Sequence, residues 1–176
     1  MERLQDLIEE GLTHFNIDHD AKSVGHLVSY IGELERWNRT MNLVGLKDSR
    51  RIVGELVYDA FFLHTRVAGE RSLLDLGSGA GVIAIPLSIL DPTMRVISVD
   101  KGLKKVLFQR HARRLLGLAG LEIIHGRMED VAPLGVRTLV AKAFGPARVI
   151  LAEGRRHLGE GGRAFIVKGF VYKKVS

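Results

Sequence analysis

The stretch Ser72-Leu-Leu-Asp-Leu-Gly-Ser-Gly-Ala-Gly-Val-Ile-Ala-Ile-Pro86 constrains the fold more than any other part of the chain. Ser72–Leu76 reads as an apolar strand. Gly77, Gly79 and Gly81 then impose a sharp turn, and a helix is expected from about Val82. Alternating glycines let the backbone approach a ligand closely and adopt angles that a Cβ forbids. A helix N-terminus behind them presents N–H groups and the positive end of a dipole. Together these features predict a nucleotide-type ligand loop at the first strand of a doubly wound sheet. A tight strand–helix turn with no ligand is the blander reading.

The spacing narrows the ligand. A dinucleotide loop reads G-x-G-x-x-G, but Val82 stands where the third glycine would be. The pattern here is Asp75-x-Gly77-x-Gly79-x-Gly81, with Ser78 inside the turn. It resembles motif I of the S-adenosylmethionine (SAM) methyltransferases. SAM lacks a pyrophosphate. Its charged amino-acid end suits backbone groups and a nearby carboxylate.

The rest of the chain fits this frame. Residues 1–68 read as a helical cap, with Leu4, Leu7, Ile8, Leu12 and Phe15 at helical spacing, weakened by Gly11. Ser23 is a plausible N-cap for a second helix with the stripe Val24, Leu27, Val28, Ile31, Leu34 and Trp37. A third helix carries Ile52 to His64. From Ser72 to the end, taken with the preceding turn as a unit over 69–176, strand and helix alternate, as a parallel sheet requires. Strands are expected near 72–76, 95–100, 121–125, 137–142 and 163–168, with helices near 82–90, 102–116 and 146–158. The predicted class is α/β: a Rossmann-like methyltransferase sheet with helices on both faces and an N-terminal helical cap. Such a sheet usually has two further strands. Few residues follow Lys168, so the last strands are expected to be missing.

Several residues at strand ends could carry chemistry. Asp100 ends the second strand, where an acid can accept both ribose hydroxyls of an adenosine. An acidic helix N-cap explains it equally well by itself. After the third strand, Glu129 can accept the adenine amine and Met128 can lie against the ring. A plain helix-start turn is the alternative. Lys142 ends the fourth strand, either holding cofactor or substrate by charge or snorkelling at the sheet rim.

Composition sets the remaining bounds. The chain has 176 residues, no cysteine and a formal net charge of +6. Absence of cysteine removes disulfides and thiolate metal sites and fits a reducing cytoplasm. The charged N-terminus is unlike a signal peptide, and no apolar run reaches the ~20 residues that span a bilayer. The seven histidines show no metal spacing, so no metal and no membrane are expected. Lys101–Arg114 contains six basic residues and no acid. A second run includes Arg155, Arg156, Arg163, Lys168, Lys173 and Lys174. Each is either a solvated face or, with Arg50 and Arg51, part of a phosphate-binding rim.

The chain resembles the GidB/RsmG family of bacterial 16S ribosomal RNA guanine-N7 methyltransferases. The resemblance rests on Trp37-Asn38 with Asn42-Leu43, on Leu74 to Gly81 with Ile85-Pro86, on Lys104-Lys105-Val106 with Phe108, and on His125-Gly-Arg-Met-Glu129. Ala143-Phe144, Gly161-Gly162 and Lys168-Gly169 complete it. It implies a cytoplasmic SAM-dependent enzyme, expected as a monomer, acting on 16S rRNA or the small ribosomal subunit. It also implies SAM contacts at Gly77, Val82, Met128, Glu129 and Lys142. Asn38, Asn42 and Lys168 are the candidates for the acceptor side. Turn capping is the alternative for the asparagines, and a core role for Trp37. The family usually has Arg-Ala-Phe where this chain has Lys142-Ala-Phe144, and of its usual His-Leu-Leu-Asp-Ser only Asp59 remains in Leu56-Val-Tyr-Asp-Ala60. Guanine N7 bears a lone pair and no proton, so no catalytic base is assigned. A small-molecule SAM methyltransferase, a catalytically weak SAM- and RNA-binding assembly factor and a nicotinamide oxidoreductase are the competing readings.

Overall fold

The glycine-rich turn joins the central strand of a five-stranded sheet to the first helix behind it. The structure, a computed structural model, describes residues 3–142 and 146–167. Its helices are α1 (Leu4–His14), α2 (Ala21–Met41), α3 (Ser49–Ile52), α4 (Tyr58–Val67), α5 (Ala84–Leu90), α6 (Leu103–Leu116) and α7 (Ala147–Gly154). The strands are β1 (Ser72–Leu76), β2 (Arg95–Asp100), β3 (Leu121–His125), β4 (Val136–Lys142) and β5 (Leu158–Val167). All neighbours are parallel, in the order β3-β2-β1-β4-β5. The order reverses at β1, so the carboxyl ends of β1 and β4 flank the crevice where such sheets bind ligands.

Alternation along the strands builds two apolar layers. Leu73, Val96, Leu121 and Val140 face α5, α6 and the helical cap in one continuous cluster that reaches Ile8, Leu27 and Phe61. Leu74, Leu76, Ile97, Val99 and Leu139 face the opposite side, where Ile150 of α7 and Met128 cover them.

Several boundaries differ from the sequence reading for local reasons. Helix α2 is capped by Asp20, not Ser23. Asp20 Oδ1 accepts the Ser23 N–H at 2.7 Å while Ser23 Oγ accepts the Asp20 N–H at 3.0 Å, a reciprocal capping box. The third helix is interrupted by a π-helical turn at Val53–Val57. Helix α7 ends at Gly154 and a 3₁₀ turn, Arg155–His157, follows. β5 therefore begins at Leu158, and it carries an irregularity where Val136 pairs with Leu158 but Thr138 with Arg163.

Gly11 is a packing residue. A Cβ there would overlap the Tyr58 ring, lying 2.8 Å from Cζ, while the Tyr58 hydroxyl donates to the Leu7 carbonyl at 2.9 Å. Alanine gains about 1 kcal/mol of helix propensity, but overpacking of a closed contact costs about 1–3 kcal/mol. Gly11→Ala is therefore expected to lower the urea midpoint. A raised midpoint would show that the α1–Tyr58 contact yields without cost.

Candidate functional site

The cleft lies over the carboxyl ends of the strands and has two lobes that share Gly77 and Lys105. The lobe over β2 and β3 has a volume of about 480 Å³, with Asp100, Lys101, Met128 and Glu129 on one side and Val149 and Glu153 of α7 on the other. The lobe over β1 and β4 has about 290 Å³ and is walled by Leu43–Leu46, Leu56, Asp75, Gly77–Ala80, Val82 and Lys142.

The loop is held from below by a buried polar cluster that periodicity did not reveal. Gln109 of α6 is fully buried. Its amide nitrogen donates to Gly79 O at 2.7 Å and to Ser78 Oγ at 2.9 Å. Its amide oxygen accepts from Ser98 Oγ at 2.5 Å, and the Ser98 and Ser78 hydroxyls lie 2.6 Å apart. Ser78 thus turns into the protein, with its oxygen committed to the cluster. The Tyr30 hydroxyl, on α2, donates to Ala80 O at 3.1 Å, which ties the helical cap to the loop. Gly81 has φ +73°, and a Cβ there would lie 2.8 Å from Ile85 Cδ1 and 3.2 Å from Gln109 Cγ. Both conformation and space therefore require glycine.

The two acids bordering the loop do different work. Asp100 is nearly buried, and its two oxygens accept the N–H groups of Gly79 at 2.8 Å and Gly102 at 2.7 Å. It clamps the loop to the start of α6. A carboxylate has about four lone-pair sites, so two acceptor positions remain. Asp75 is 1% exposed. One of its oxygens accepts the Ala84 N–H at 3.2 Å. Helix α5 accordingly starts at Ala84 rather than Val82, and its first N–H group faces Asp75 rather than a ligand.

Burial pushes the Asp75 carboxyl up to about 7; the Ala84 N–H opposes this, the Asp100 charge adds to it and Lys142 opposes it. The unfolded carboxyl releases its proton near pH ~4. Between about 4 and 7 the folded state binds the extra proton, so the contribution is full below that window and is lost as pH rises through it. Asp75→Asn, which still accepts the Ala84 N–H, is expected to remove this slope of about 1.4 kcal/mol per pH unit from urea unfolding. Parallel profiles for variant and wild type would show Asp75 ionised throughout.

Lys142 and Asp59 meet at the other edge. Lys142 Nζ lies 2.5 Å from Asp59 Oδ2, with side chains 14% and 2% exposed, and donates to the Glu55 carbonyl at 3.3 Å. That carbonyl belongs to the π-helical turn. Among the described residues Asp59 Oδ2 has no aligned hydrogen-bond donor, so the close ammonium compensates it by charge rather than by a directed bond. Lys142 is neither a free rim lysine nor aimed only at a ligand: it pins β4 to the helical cap.

The asparagines shape the cleft rather than reach into it. Asn38 Nδ2 donates to Leu46 O at 2.7 Å and Oδ1 accepts from Val44 N at 2.9 Å. The side chain folds the loop that walls the β1–β4 lobe. Asn42 is the exposed C-cap of α2 with φ +50°, a left-handed position that asparagine tolerates. Trp37 packs edge-on to Phe108, with centroids 5.6 Å apart, and against His111. Lys168 and Phe144 lie outside the described residues.

Met128 is buried beneath the β2–β3 lobe and Glu129 is exposed at its rim. The Glu129 carboxyl is lowered by its own backbone N–H first, then by Arg127 and Lys101. Arg156 braces this turn from behind, donating to Glu129 O at 3.1 Å and Val131 O at 3.0 Å. His157 is buried beside it, and desolvation lowers its pKa. Lys105, in both lobes, and Arg156 were visible in sequence only as members of basic runs.

The family model described as GidB, rRNA small subunit methyltransferase G, matches residues 24–174. The chain belongs to this family. Among curated GidB relatives, Ribosomal RNA small subunit methyltransferase G of Geobacter sulfurreducens is 37% identical over 141 residues, 78% of this chain and 65% of the relative. The Geobacter metallireducens protein of the same name is 39% identical over 128 residues, 73% of this chain and 58% of the relative. The Chromohalobacter salexigens protein of that name is 33% identical, over 92% of this chain and 77% of its own length. The chain thus spans less than two thirds of the two Geobacter relatives.

Solved structures bear out the Rossmann-like fold. A SAM-dependent methyltransferase from Aquifex aeolicus aligns with TM-score 0.56 at 18% identity, over 78% of this chain and 70% of that one. A putative SAM-dependent methyltransferase from Methanococcus maripaludis aligns with TM-score 0.57 at 15% identity, over 77% and 61%. Among the described residues, no helix is long and apolar enough to cross a membrane, and no three His, Asp or Glu residues cluster as a metal site.

Proposed function

We propose that this GidB chain transfers the methyl group of SAM to N7 of a guanine in 16S rRNA, as a cytoplasmic monomer without a metal. The observation that carries the reading is the two-lobed cleft meeting at Gly77, in a chain of this family. The β2–β3 lobe suits adenosine: Asp100 keeps acceptor positions for ribose hydroxyls, Met128 offers an apolar floor, and Glu129 an acceptor at the rim. The β1–β4 lobe, with the loop backbone from Gly77 to Val82, suits the amino-acid end and the acceptor base. Residues 1–68 act as the cap that walls this lobe, and residues 69–176 as the cofactor-binding unit.

When bound, SAM supplies an electrophilic methyl on a sulfonium centre. The chain's part is alignment and electrostatics. Guanine N7 offers a lone pair and no proton, so no side chain has to remove one. Asn38 positions the Leu43–Leu46 wall, and the Lys142–Asp59 pair holds the end of β4 against it. Asn42, exposed at the end of α2, then bears on RNA from outside this lobe.

The deciding experiment is transfer of label from SAM to small-subunit particles lacking native modification, followed by reduction and aniline cleavage. One enzyme- and SAM-dependent cut is expected. Label without a cut would remove the N7 assignment. SAM binding without label would remove the activity itself.

A further inference from the structure

The basic residues of this chain differ in how they are used. Arg156 is committed to the carbonyls of Glu129 and Val131. Arg163 is paired with Glu70, Arg51 with Glu55, and Arg36 with Glu33. Helix α6 is unlike these. Lys104, Arg110 and Arg114 are exposed, and among the described residues none of them has an ion pair or hydrogen bond. Arg113 donates through Nε to Leu118 O at 3.3 Å, which fixes its fork at the helix end. Glu122, on which the Arg113 charge acts, is occupied by Arg95 at 2.6 Å.

These charges fall in two groups along α6. Lys101 and Lys105 line the ligand cleft at the N-terminal end of α6. Further along the helix, about 10–17 Å from its start at 1.5 Å per residue, Arg110, Arg113 and Arg114 line a separate groove of about 500 Å³ between α6 and β3. Positions i, i+3 and i+4 share one helix face, so the three guanidinium groups converge. The groove floor is apolar, from Leu118 and Ile123, and β3 is the sheet edge. Guanidinium forks over an apolar floor match a phosphate next to a sugar or base.

We infer that α6 is an RNA-backbone track, with Arg110 and Arg114 holding phosphates in the groove while the target base occupies the cleft. This rests on the proposal that RNA is the substrate. The track lets the enzyme hold RNA about 10–17 Å beyond the cleft end of α6, by contacts that carry no sequence information.

The test is Arg110→Gln/Arg114→Gln in the full chain, since neither side chain has a partner among the described residues. Anisotropy with labelled, unmodified small-subunit rRNA is read across a KCl series, alongside calorimetric SAM binding. Each lost phosphate contact lowers the salt slope by about 0.7–0.9. The double variant is therefore expected to lose about 1.5 of slope and about thirtyfold in affinity near 0.1 M salt, with SAM affinity unchanged. Arg110→Lys/Arg114→Lys should keep the slope. An unchanged slope in the Gln variant, with wild type still binding and methylating RNA, would overturn the track alone. Wild type that neither binds nor methylates RNA would overturn the proposed function and the track with it. The exposed Leu103, Leu107 and Leu115 on α6 make a lipid face the competing use. Loss of binding to phosphatidylglycerol vesicles by the Gln variant, without a change in RNA slope, would also overturn the inference.

Discussion

Lys142→Met is expected to cost about 3–5 kcal/mol, the range for removing one partner of a buried ion pair. Asp59 is 2% exposed and, among the described residues, its Oδ2 has no aligned donor, so the ammonium 2.5 Å away is its main compensation. Methionine fills the volume and leaves the carboxylate charged in an apolar surround. The double variant Asp59→Leu/Lys142→Met is expected to recover much of the loss, because replacing both partners of such a pair is often neutral. A double-mutant cycle in urea isolates the coupling. Additive losses would mean that the two charges are solvated independently. SAM affinity is expected to fall in the single variant, because Lys142 lines the lobe beside Gly77. It should return in the double variant if the side chain's role is to position β4, and stay low if its charge contacts the cofactor.

Gln109→Leu is expected to cost about 2–4 kcal/mol and to weaken SAM binding tenfold or more. Leucine keeps the bulk but removes the donors to Gly79 O and Ser78 Oγ and the acceptor for Ser98. Each buried group left unpaired costs about 1–3 kcal/mol, and Ser98 and Ser78 retain only each other. The Gly79 carbonyl has no such substitute, so the loop should shift where its backbone faces the cleft. Calorimetric SAM titration beside urea unfolding separates the two effects. A loss of stability with unchanged SAM affinity would show that the loop keeps its shape without this support.

The two variants show why the site was only half legible in the sequence. Gly77, Gly79 and Gly81 are readable because their role is local: each has positive φ within one turn, which glycine adopts most readily. Asp100 and Glu129 are readable by their place at strand ends. Gln109 is not, because a glutamine on a basic helix reads as solvated. Only the packing of α6 under the loop buries it. The family resemblance offers Asn38 as an acceptor-side candidate, with turn capping as the alternative. Its amide bonds Val44 and Leu46, six and eight residues further on, which is the turn-capping role.

The sequence by itself determined the parallel sheet, the position of its ligand loop and the family, since these follow from periodicity, turn chemistry and a distinctive set of motifs. Tertiary structure alone decided which polar groups the fold consumes and which are left lining the cleft. Asp59 and Lys142 stand far apart in the chain, and so do Tyr30 and Ala80, Ser78 and Gln109, Arg156 and Glu129. The partner of a buried polar group is whichever group the fold brings within about 3 Å. Burial makes leaving it unpaired costly. That choice is made by packing across the whole molecule and leaves no period in the sequence.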